Sequence, residues 1–259
     1  MNAREIIIYL SLMHDGDWDK IYSDIQNKVK NFSDDDIKRE ISKLKCKCIT
    51  IIDADYPNEL KNIYKPPFVL YYYGDLSLLN NTDKIICSIG TRNPSNYGVN
   101  MTHMVLGGLP KDIVVMSGLA AGIDVESHKT AINSGLKTIA VLGSGIDNCY
   151  PKENKAIYDE IKNNHLLISE YPHCSRPNRA HFPMRNRILA ALSKTVFVTD
   201  ASTHSGTSIT VSFALECGKN VCCIPHHGGE DSLCNKLIKE GAALIEKTDD
   251  LLEEIGYKN

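Results

Sequence analysis

The chain of 259 residues lacks the signatures of several common functional classes. It has no apolar run approaching the roughly 18 residues that a membrane-spanning helix needs. It has no Walker A sequence, and the dinucleotide fingerprint G-x-G-x-x-G is missing after the first strand of the sheet predicted below. These absences count against a membrane protein and against ATP or NAD as the ligand, so we expect no cofactor.

A regular cysteine framework is also missing. The nine cysteines follow no repeating spacing, and the adjacent pair Cys222-Cys223 suits neither a disulfide nor a zinc site. The run VCCIP is typical of a buried strand in which cysteines act as small apolar residues, although His226 and His227 keep a metal site open as an alternative. We expect no metal, and unpaired cysteines indicate a reducing, cytoplasmic compartment.

Acidic side chains are absent from residues 171–199, although the formal net charge of the chain is −3. The same stretch holds four of the seven arginines and one lysine: Arg176, Arg179, Arg185, Arg187 and Lys194. Guanidinium groups gathered in one segment of an acidic protein indicate recognition of an anion. The alternative is a solvated loop whose charges pair with carboxylates elsewhere in the fold.

The chain is predicted to form two domains. Residues 1–48 alternate helical periodicity with polar breaks, which predicts a small helical N-terminal domain. In residues 49–259, short apolar runs alternate with helical stretches, as in parallel strands buried on both faces. Seven such runs are KIICSIG, IVVMSG, TIAVLG, HLLISE, TVFVTD, VCCIP and AALIE, and the strand-like CITIID and KPPFVLYYYGDL precede them. We predict an α/β fold with an extended Rossmann-like, doubly wound, mostly parallel sheet.

Three consecutive tyrosines, Tyr71, Tyr72 and Tyr73, lie in one of these runs. Aromatic rings of this kind can stack on unpaired bases. Because side chains alternate between the faces of a strand, at most one face could do so, and packing in the core is the favoured interpretation.

Small residues and glycines follow four of the strands, at the sheet edge where open parallel sheets bind ligands. The turns contain Gly90-Thr91-Arg92, Ser117-Gly118, Gly143-Ser144-Gly145 and Ser205-Gly206-Thr207. Glycine lets backbone amides approach an anion, and the following helix N-termini add favourable dipoles. The turns therefore predict a phosphate-binding rim, with tight strand-to-helix packing as the alternative.

The arginine-rich segment is predicted to begin as an extended loop, because Pro177 and Pro183 disfavour a helix there. This loop would present Arg179, His181 and Phe182, which combines phosphate contact with base stacking. The run MRNRILAALS is predicted to be a helix. On it Arg185 and Arg187 point about 200° apart, so one can face a ligand while the other anchors the helix to a carboxylate.

Asp124 and His128 lie four residues apart at the start of a predicted helix. As a general acid and base they would need a substrate between them. A helix cap with a stabilising pair is the favoured interpretation, and no catalytic residue is assigned.

In these motifs the chain resembles the DNA-processing protein A (Smf) family, bacterial mediators of recombination that bind single-stranded DNA. The matching runs follow in unbroken order over about residues 49–245, and the combination of FP-x-RNR with SGLA-x-GID is specific to the family. They are DADYPNEL, PPFVLYYYGD, SIGTR, SGLAAGIDVESH, LGSGIDNCYP, ISEYP, FPMRNRILAALS, SGTSITVSFALECGKNVCCIP and NKLIKEGA.

The resemblance implies a homodimer that binds single-stranded DNA in a basic pocket and loads it with the RecA recombinase in natural transformation and recombination. It implies no established catalytic activity. Many relatives carry a C-terminal winged helix, which we do not expect here. The candidate DNA-binding residues are Gly90, Thr91, Arg92, Ser117, Gly118, Arg179, Phe182, Arg185, Asn186, Arg187, Ser205, Gly206 and Thr207.

The chain departs from the family pattern at a few positions. Thr91 replaces the serine of the Gly-Ser-Arg motif, and Ser127 replaces the alanine before His128. The usual Pro-Gly after the last core strand becomes Pro225-His226-His227-Gly228, and Cys234 replaces a glycine before Asn235.

Two alternatives concern nucleotides rather than DNA. Rossmann proteins that hydrolyse the N-glycosidic bond of nucleoside monophosphates use an arginine and a glutamate, for which Arg185 and Glu216 are candidates. A regulator that senses a small nucleotide is the second alternative.

Overall fold

The computed structural model describes residues 2–29, 31–173 and 175–258. Residues 1 and 259, the outer ends of the two predicted domains, lie outside the described residues, and the division after residue 48 stays a prediction. The helices are α1 (Ala3–Met13), α2 (Trp18–Gln26), α3 (Asp34–Ile41), α4 (Asn58–Lys61), α5 (Asn96–Gly107), α6 (Ile123–Asn133), α7 (Lys155–Asn164), α8 (His181–Ala191), α9 (Thr207–Glu216), α10 (Leu233–Lys239) and α11 (Thr248–Glu254). The strands are β1 (Lys47–Thr50), β2 (Val69–Gly74), β3 (Ile85–Ile89), β4 (Val114–Ser117), β5 (Lys137–Leu142), β6 (Leu166–Ser169), β7 (Thr195–Val198), β8 (Asn220–Cys223) and β9 (Ala243–Leu244).

Every apolar run that predicted a strand forms one, and together they build a sheet in the order β1-β2-β6-β5-β4-β3-β7-β8-β9. In this spatial order, every neighbouring pair of strands between β6 and β9 is parallel. Strand β2 runs antiparallel to both of its neighbours, β1 and β6. Strands such as β3 are buried along their whole length, because helices cover both faces of the sheet. The predicted Rossmann-like, mostly parallel α/β fold is confirmed.

The topology places a crevice beside β3. The chain runs outward from β3 through β4, β5 and β6, and then returns to add β7, β8 and β9 on the other side of β3. The last residues of β3 and β7, Ile89 and Val198, are partners in the register, so the two strands end side by side. A ligand crevice forms at such a reversal of strand order, beyond the carboxyl ends of the strands.

The N-terminal helices share a core with the sheet. Ile7 and Ile8 of α1 pack in one buried cluster with Tyr71 of β2. The Tyr71 hydroxyl donates to Ser11 Oγ at 2.9 Å, and its ring is fully buried, so it serves the core, as the favoured interpretation held. Among the described residues, no helix is long and apolar enough to cross a membrane.

A buried histidine links α6 to the sheet. His128 has no exposed surface, and its Nδ1 lies 2.7 Å from Thr138 Oγ1. Because the Thr138 hydroxyl donates to Val115 O, Nδ1 carries the hydrogen and donates to Thr138. His128 Nε2 then has no partner among the described residues. Burial, together with the nearby His165 and Arg185, lowers the pKa of His128 to about 3.

This histidine predicts a loss of stability in acid. In the unfolded chain a histidine titrates near pH ~6.5. As the pH falls, His128 is therefore protonated in the unfolded state before it is protonated in the folded state. The unfolding free energy is unaffected above pH ~6.5 and decreases as the pH falls towards the pKa of His128 in the folded state. At pH 5 the loss is about 2 kcal/mol of unfolding free energy.

Urea unfolding at pH 7.5 and pH 5 measures this loss. We expect His128→Gln to reduce the difference between the two pH values by about 2 kcal/mol. His227→Gln, at an exposed position in the loop after β8 and outside any ion pair of the described residues, is the control and should leave the difference unchanged. An unchanged difference in the His128 variant would contradict the prediction.

Candidate functional site

A cavity of about 660 Å³ occupies the crevice at the carboxyl ends of β3 and β7. It brings together residues that lie as much as 121 positions apart in the sequence, from Ile89 to Thr210. Ten of the predicted site residues line it: Gly90, Thr91, Arg92, Arg179, Phe182, Arg185, Asn186, Ser205, Gly206 and Thr207. The other three, Ser117, Gly118 and Arg187, are not among its lining residues.

The segment before the cavity differs from the predicted extended loop. Helix α8 already begins at His181, so Phe182 and Pro183 lie in its first turn rather than in a loop. Proline is tolerated there because the first amides of a helix have no intrahelical acceptor. Phe182 is consequently held by a helix, which fixes its direction more firmly than a loop would.

Arg185 is buried under the cavity. Its Nη1 donates to Gly118 O at 2.6 Å and to Val141 O, and its Nε donates to Asn186 Oδ1 at 3.1 Å. Only 4% of the residue is exposed. Burial lowers its pKa, and the neighbouring Asp124 carboxylate opposes that change. Arg185 therefore fills the carboxyl ends of β4 and β5 and offers little free surface to a ligand.

Arg187 is the anchor of α8. Its Nη2 lies 2.5 Å from Glu170 Oε2, and further bonds run to the carbonyls of Tyr64, Lys65 and Met184. Both members of this ion pair are buried. The predicted arrangement, in which one of the two arginines anchors the helix to a carboxylate, is the arrangement that the structure has.

The remaining charges of the arginine-rich segment are also dispersed. Lys194 pairs with Asp83 at 2.8 Å, and its amide donates to Ile85 O at the start of β3, the end of that strand away from the cavity. Arg176 and Arg179 are exposed, and only Arg179 reaches the cavity. The five cations do not form one cluster. Arg185, Arg187 and Lys194 are bonded to elements distant in sequence, and Arg176 does not line the cavity.

Most of the glycine turns are filled by the protein itself. A Cβ on Gly118 would collide with the Arg185 guanidinium, and one on Gly143 would lie 2.7 Å from the Phe182 ring. The amide of Thr91 donates to Asp200 O at 2.6 Å. Packing, the alternative interpretation, therefore accounts for these turns. Gly206 differs, since a Cβ there would meet no atom within 4 Å.

The rim of the cavity carries free cations and rings. Arg92 and Arg179 are exposed and form no ion pair with any carboxylate of the described residues. Arg92 Cζ lies 5.9 Å from the centroid of the Phe182 ring. Tyr150, which the sequence did not single out, stands beside Phe182 at 5.5 Å between centroids and is 45% exposed. The one feature of the sequence that could have indicated Tyr150 is its position in the family-like run LGSGIDNCYP.

The N-terminus of α9 also lines the cavity. Helix α9 begins at Thr207, and no side chain caps it. Ser205 Oγ is buried and has no hydrogen-bond partner among the described residues. A helix N-terminus favours an anion, and an unpartnered hydroxyl can donate to one.

Asp124 and His128 do not form the expected pair. Asp124 Oδ2 accepts from the amide of Ala120 at 3.3 Å at the start of α6, whereas His128 bonds to Thr138. Burial raises the pKa of Asp124, and Arg185 opposes the rise. Both halves of the favoured interpretation are wrong. No side chain of the described residues caps α6, since Asp124 accepts from an amide that precedes the helix, and Asp124 and His128 point to different elements.

Arg185 and Glu216 line different cavities. Glu216 borders a second cavity of about 510 Å³, together with Arg187 and Tyr64. The two residues required by the nucleotide-hydrolase alternative are therefore not brought together. Over residues 2–29, 31–173 and 175–258, no group of three His, Cys, Asp or Glu side chains is arranged to hold a metal ion.

Comparison with known proteins gives one consistent family. The model of the family described as DNA recombination-mediator protein A matches residues 47–256. DNA processing protein DprA of Streptococcus pneumoniae is 41% identical over 210 residues, which is 80% of this chain and 74% of that protein.

Solved structures agree with this match. The crystal structure of DprA from Streptococcus pneumoniae superposes with a TM-score of 0.79 and 32% identity, over 96% of this chain and 95% of that one. A structure of DNA processing protein A from Helicobacter pylori, which concerns the single-stranded DNA binding mode of that protein, gives a TM-score of 0.73 and 29% identity over 81% of this chain and 95% of that one. The chain belongs to the DNA recombination-mediator protein A family, whose members are called DprA or Smf.

Proposed function

We propose that this chain binds single-stranded DNA across the rim of the β3–β7 cavity and acts without catalysing a reaction. The observation that carries the proposal is a partly buried ring, Phe182, which lines the same cavity as two exposed arginines without carboxylate partners, Arg92 and Arg179. The recombination-mediator family of the chain and the DNA-binding mode described for the Helicobacter pylori protein support it.

Side chains, rather than backbone amides, make the contacts in this proposal. Arg92 and Arg179 each neutralise one phosphate. The amides at the uncapped N-terminus of α9 and the Ser205 hydroxyl donate to a third phosphate. Phe182 and Tyr150 offer two neighbouring rings to successive bases. Duplex DNA binds more weakly, because its bases are already stacked on one another.

Four of the candidate residues support this surface without touching DNA: Arg185, Arg187, Ser117 and Gly118. Arg185 occupies the notch over Gly118, and Arg187 holds α8 to Glu170, so that Phe182 stays on the rim.

We further propose that the protein is a homodimer that passes the bound strand to a RecA-type recombinase, which protects the DNA and prepares it for strand exchange. Family membership is the support for both statements. A pull-down of RecA on oligonucleotide-bound protein, with mass measured in solution, tests them together.

The binding site predicts a specific salt dependence. With three phosphates neutralised on a single strand, affinity falls by about 20-fold between 50 and 200 mM salt. Arg92→Ala and Arg179→Ala each remove one contact, so each lowers affinity and makes the slope of log K against log salt shallower by about 0.7. Fluorescence anisotropy of labelled oligo-dT and a matched duplex measures both quantities.

Arg39→Ala is the matched control, since it removes an exposed arginine from α3 with the same change in net charge. Its affinity and slope should equal those of the wild type. If Arg179→Ala leaves both quantities untouched as well, the site is wrongly assigned.

Arg187 is expected to affect stability rather than DNA contact. Arg187→Met leaves the Glu170 carboxylate buried and unpaired, which lowers the unfolding free energy by about 3–5 kcal/mol. Arg179→Ala, at an exposed position, should change it by less than about 0.5 kcal/mol. Urea denaturation compares the two, and an Arg187 variant of normal stability with weakened DNA binding would contradict this role.

The nucleotide-hydrolase alternative predicts that the protein releases the base from nucleoside monophosphates. Because Arg185 and Glu216 line separate cavities, we expect no base release from nucleoside monophosphates. Chromatography of reaction mixtures with wild type and Glu216→Gln measures this. Base release by the wild type that Glu216→Gln abolishes would replace the binding proposal with an enzymatic one.

A further inference from the structure

The loop between β3 and α5 carries Arg92 into the lining of the cavity. Residues 90–95 form this loop, which belongs to neither a helix nor a strand. Arg92 is exposed, yet its Cζ lies 5.9 Å from the centroid of the Phe182 ring. Because no helix or strand fixes the loop, other contacts must hold Arg92 in this position.

Asp200, just after β7, holds both ends of this loop. Its Oδ2 accepts from the amide and from the hydroxyl of Ser95, each at 2.8 Å. Ser95 Oγ in turn accepts from the Gly98 amide at 3.0 Å and caps α5. The carbonyl oxygen of Asp200 accepts from the Thr91 amide at 2.6 Å. One residue therefore fixes the chain immediately before Arg92 and again three residues after it.

The start of α6 supports the loop from a second side. The amide of Ile123 donates to Thr91 O at 3.1 Å. Gly122 has a φ of 80°, and a Cβ there would collide with Thr91 O and lie 2.7 Å from Arg92 Cα. Backbone contacts therefore fix the part of the loop before Arg92, whereas the part after it depends on the side chain of Asp200.

The charge of Asp200 opposes the binding of an anion nearby. Asp200 does not line the cavity, but its carbonyl oxygen is bonded to Thr91, which does. A carboxylate so close to a phosphate site repels the phosphate and lowers its affinity. Removal of the carboxylate therefore strengthens binding if only its charge matters, and weakens binding if its hydrogen bonds to the loop matter more.

We propose that Asp200 is a positioning residue for DNA binding, which keeps Arg92 beside Phe182 by holding Ser95. This role rests on the proposed binding of single-stranded DNA at the cavity. Without the carboxylate, the loop after Arg92 gains conformational freedom, and that freedom is lost again when Arg92 contacts a phosphate. Affinity falls because the ordering of the loop then opposes binding.

Two substitutions at Asp200 separate its hydrogen bonds from its charge. Asp200→Ala removes both, and we expect it to lower the affinity for labelled oligo-dT by about fivefold at 50 mM salt. Asp200→Asn removes the charge but keeps an oxygen that can accept both hydrogen bonds from Ser95. It should bind at least as tightly as the wild type. Tighter binding by Asp200→Ala, or equal weakening by both variants, would overturn the proposal.

A double-mutant cycle shows whether the effect passes through Arg92. In the Arg92→Ala background, Asp200→Ala should cause no further loss of affinity, because the side chain that it positions is gone. An equal loss in both backgrounds would contradict the role. Asp75→Ala is the matched control, since Asp75 Oδ1 accepts from the amide and the hydroxyl of Ser77 at 3.0 and 2.6 Å, away from the cavity lining. It should bind as the wild type does.

Hydrogen exchange of the backbone amides in residues 91–98, measured without DNA, reports on the loop itself. Exchange should be faster in Asp200→Ala and close to the wild type in Asp200→Asn. Unchanged exchange in Asp200→Ala would overturn the positioning role while the DNA site stands. Failure of the wild type to bind oligo-dT would instead reject the DNA site and this role with it. If Asp200→Ala folds poorly, Ser95→Ala removes one of the two hydrogen bonds and should change exchange and affinity in the same directions.

Discussion

Two buried guanidinium groups hold the functional face of this protein in place. Arg185 and Arg187 leave opposite sides of α8, and each is surrounded by acceptors from other parts of the chain: the carbonyls of Gly118 and Val141 for one, and Glu170 with the loop carbonyls for the other. A buried guanidinium is costly unless its donors are satisfied, so α8 can sit in only one register against the sheet. The first turn of the helix, with Phe182, is thereby fixed over Gly143.

This constraint also determines how a ligand can bind. Side chains of the protein already occupy the strand ends that a Rossmann-like fold would offer to a phosphate, and the Thr91 amide is bonded to Asp200. What remains is a cavity lined by exposed arginines, two rings and an uncapped helix N-terminus. A rim of this kind suits an extended polyanion with unstacked bases better than a compact dinucleotide buried in the crevice.

The sequence predicted the architecture well because buried parallel strands leave continuous apolar runs, and every run from CITIID to AALIE became a strand. It also brought most of the candidate residues to one edge, since strand ends meet there. The sequence did not predict which cations are exposed, because partners distant in the sequence determine this. Nothing near Arg185, Arg187 or Lys194 reveals that Val141, Glu170 and Asp83 neutralise or bury them. Pro183 indicated a loop because proline disfavours the interior of a helix. It lies instead in the first turn of α8, where proline is tolerated, and the sequence alone did not reveal that the helix begins at His181.

The most direct test of the account is to find where an unpaired base lies. Irradiation of the full protein with an oligonucleotide carrying 5-iododeoxyuridine links the base to an aromatic side chain on which it stacks, and peptide mapping identifies that side chain. The account predicts linkage to Phe182 or Tyr150, lost when unlabelled oligo-dT competes. Linkage to Tyr64 at the second cavity, or to rings of the N-terminal helices, would contradict it.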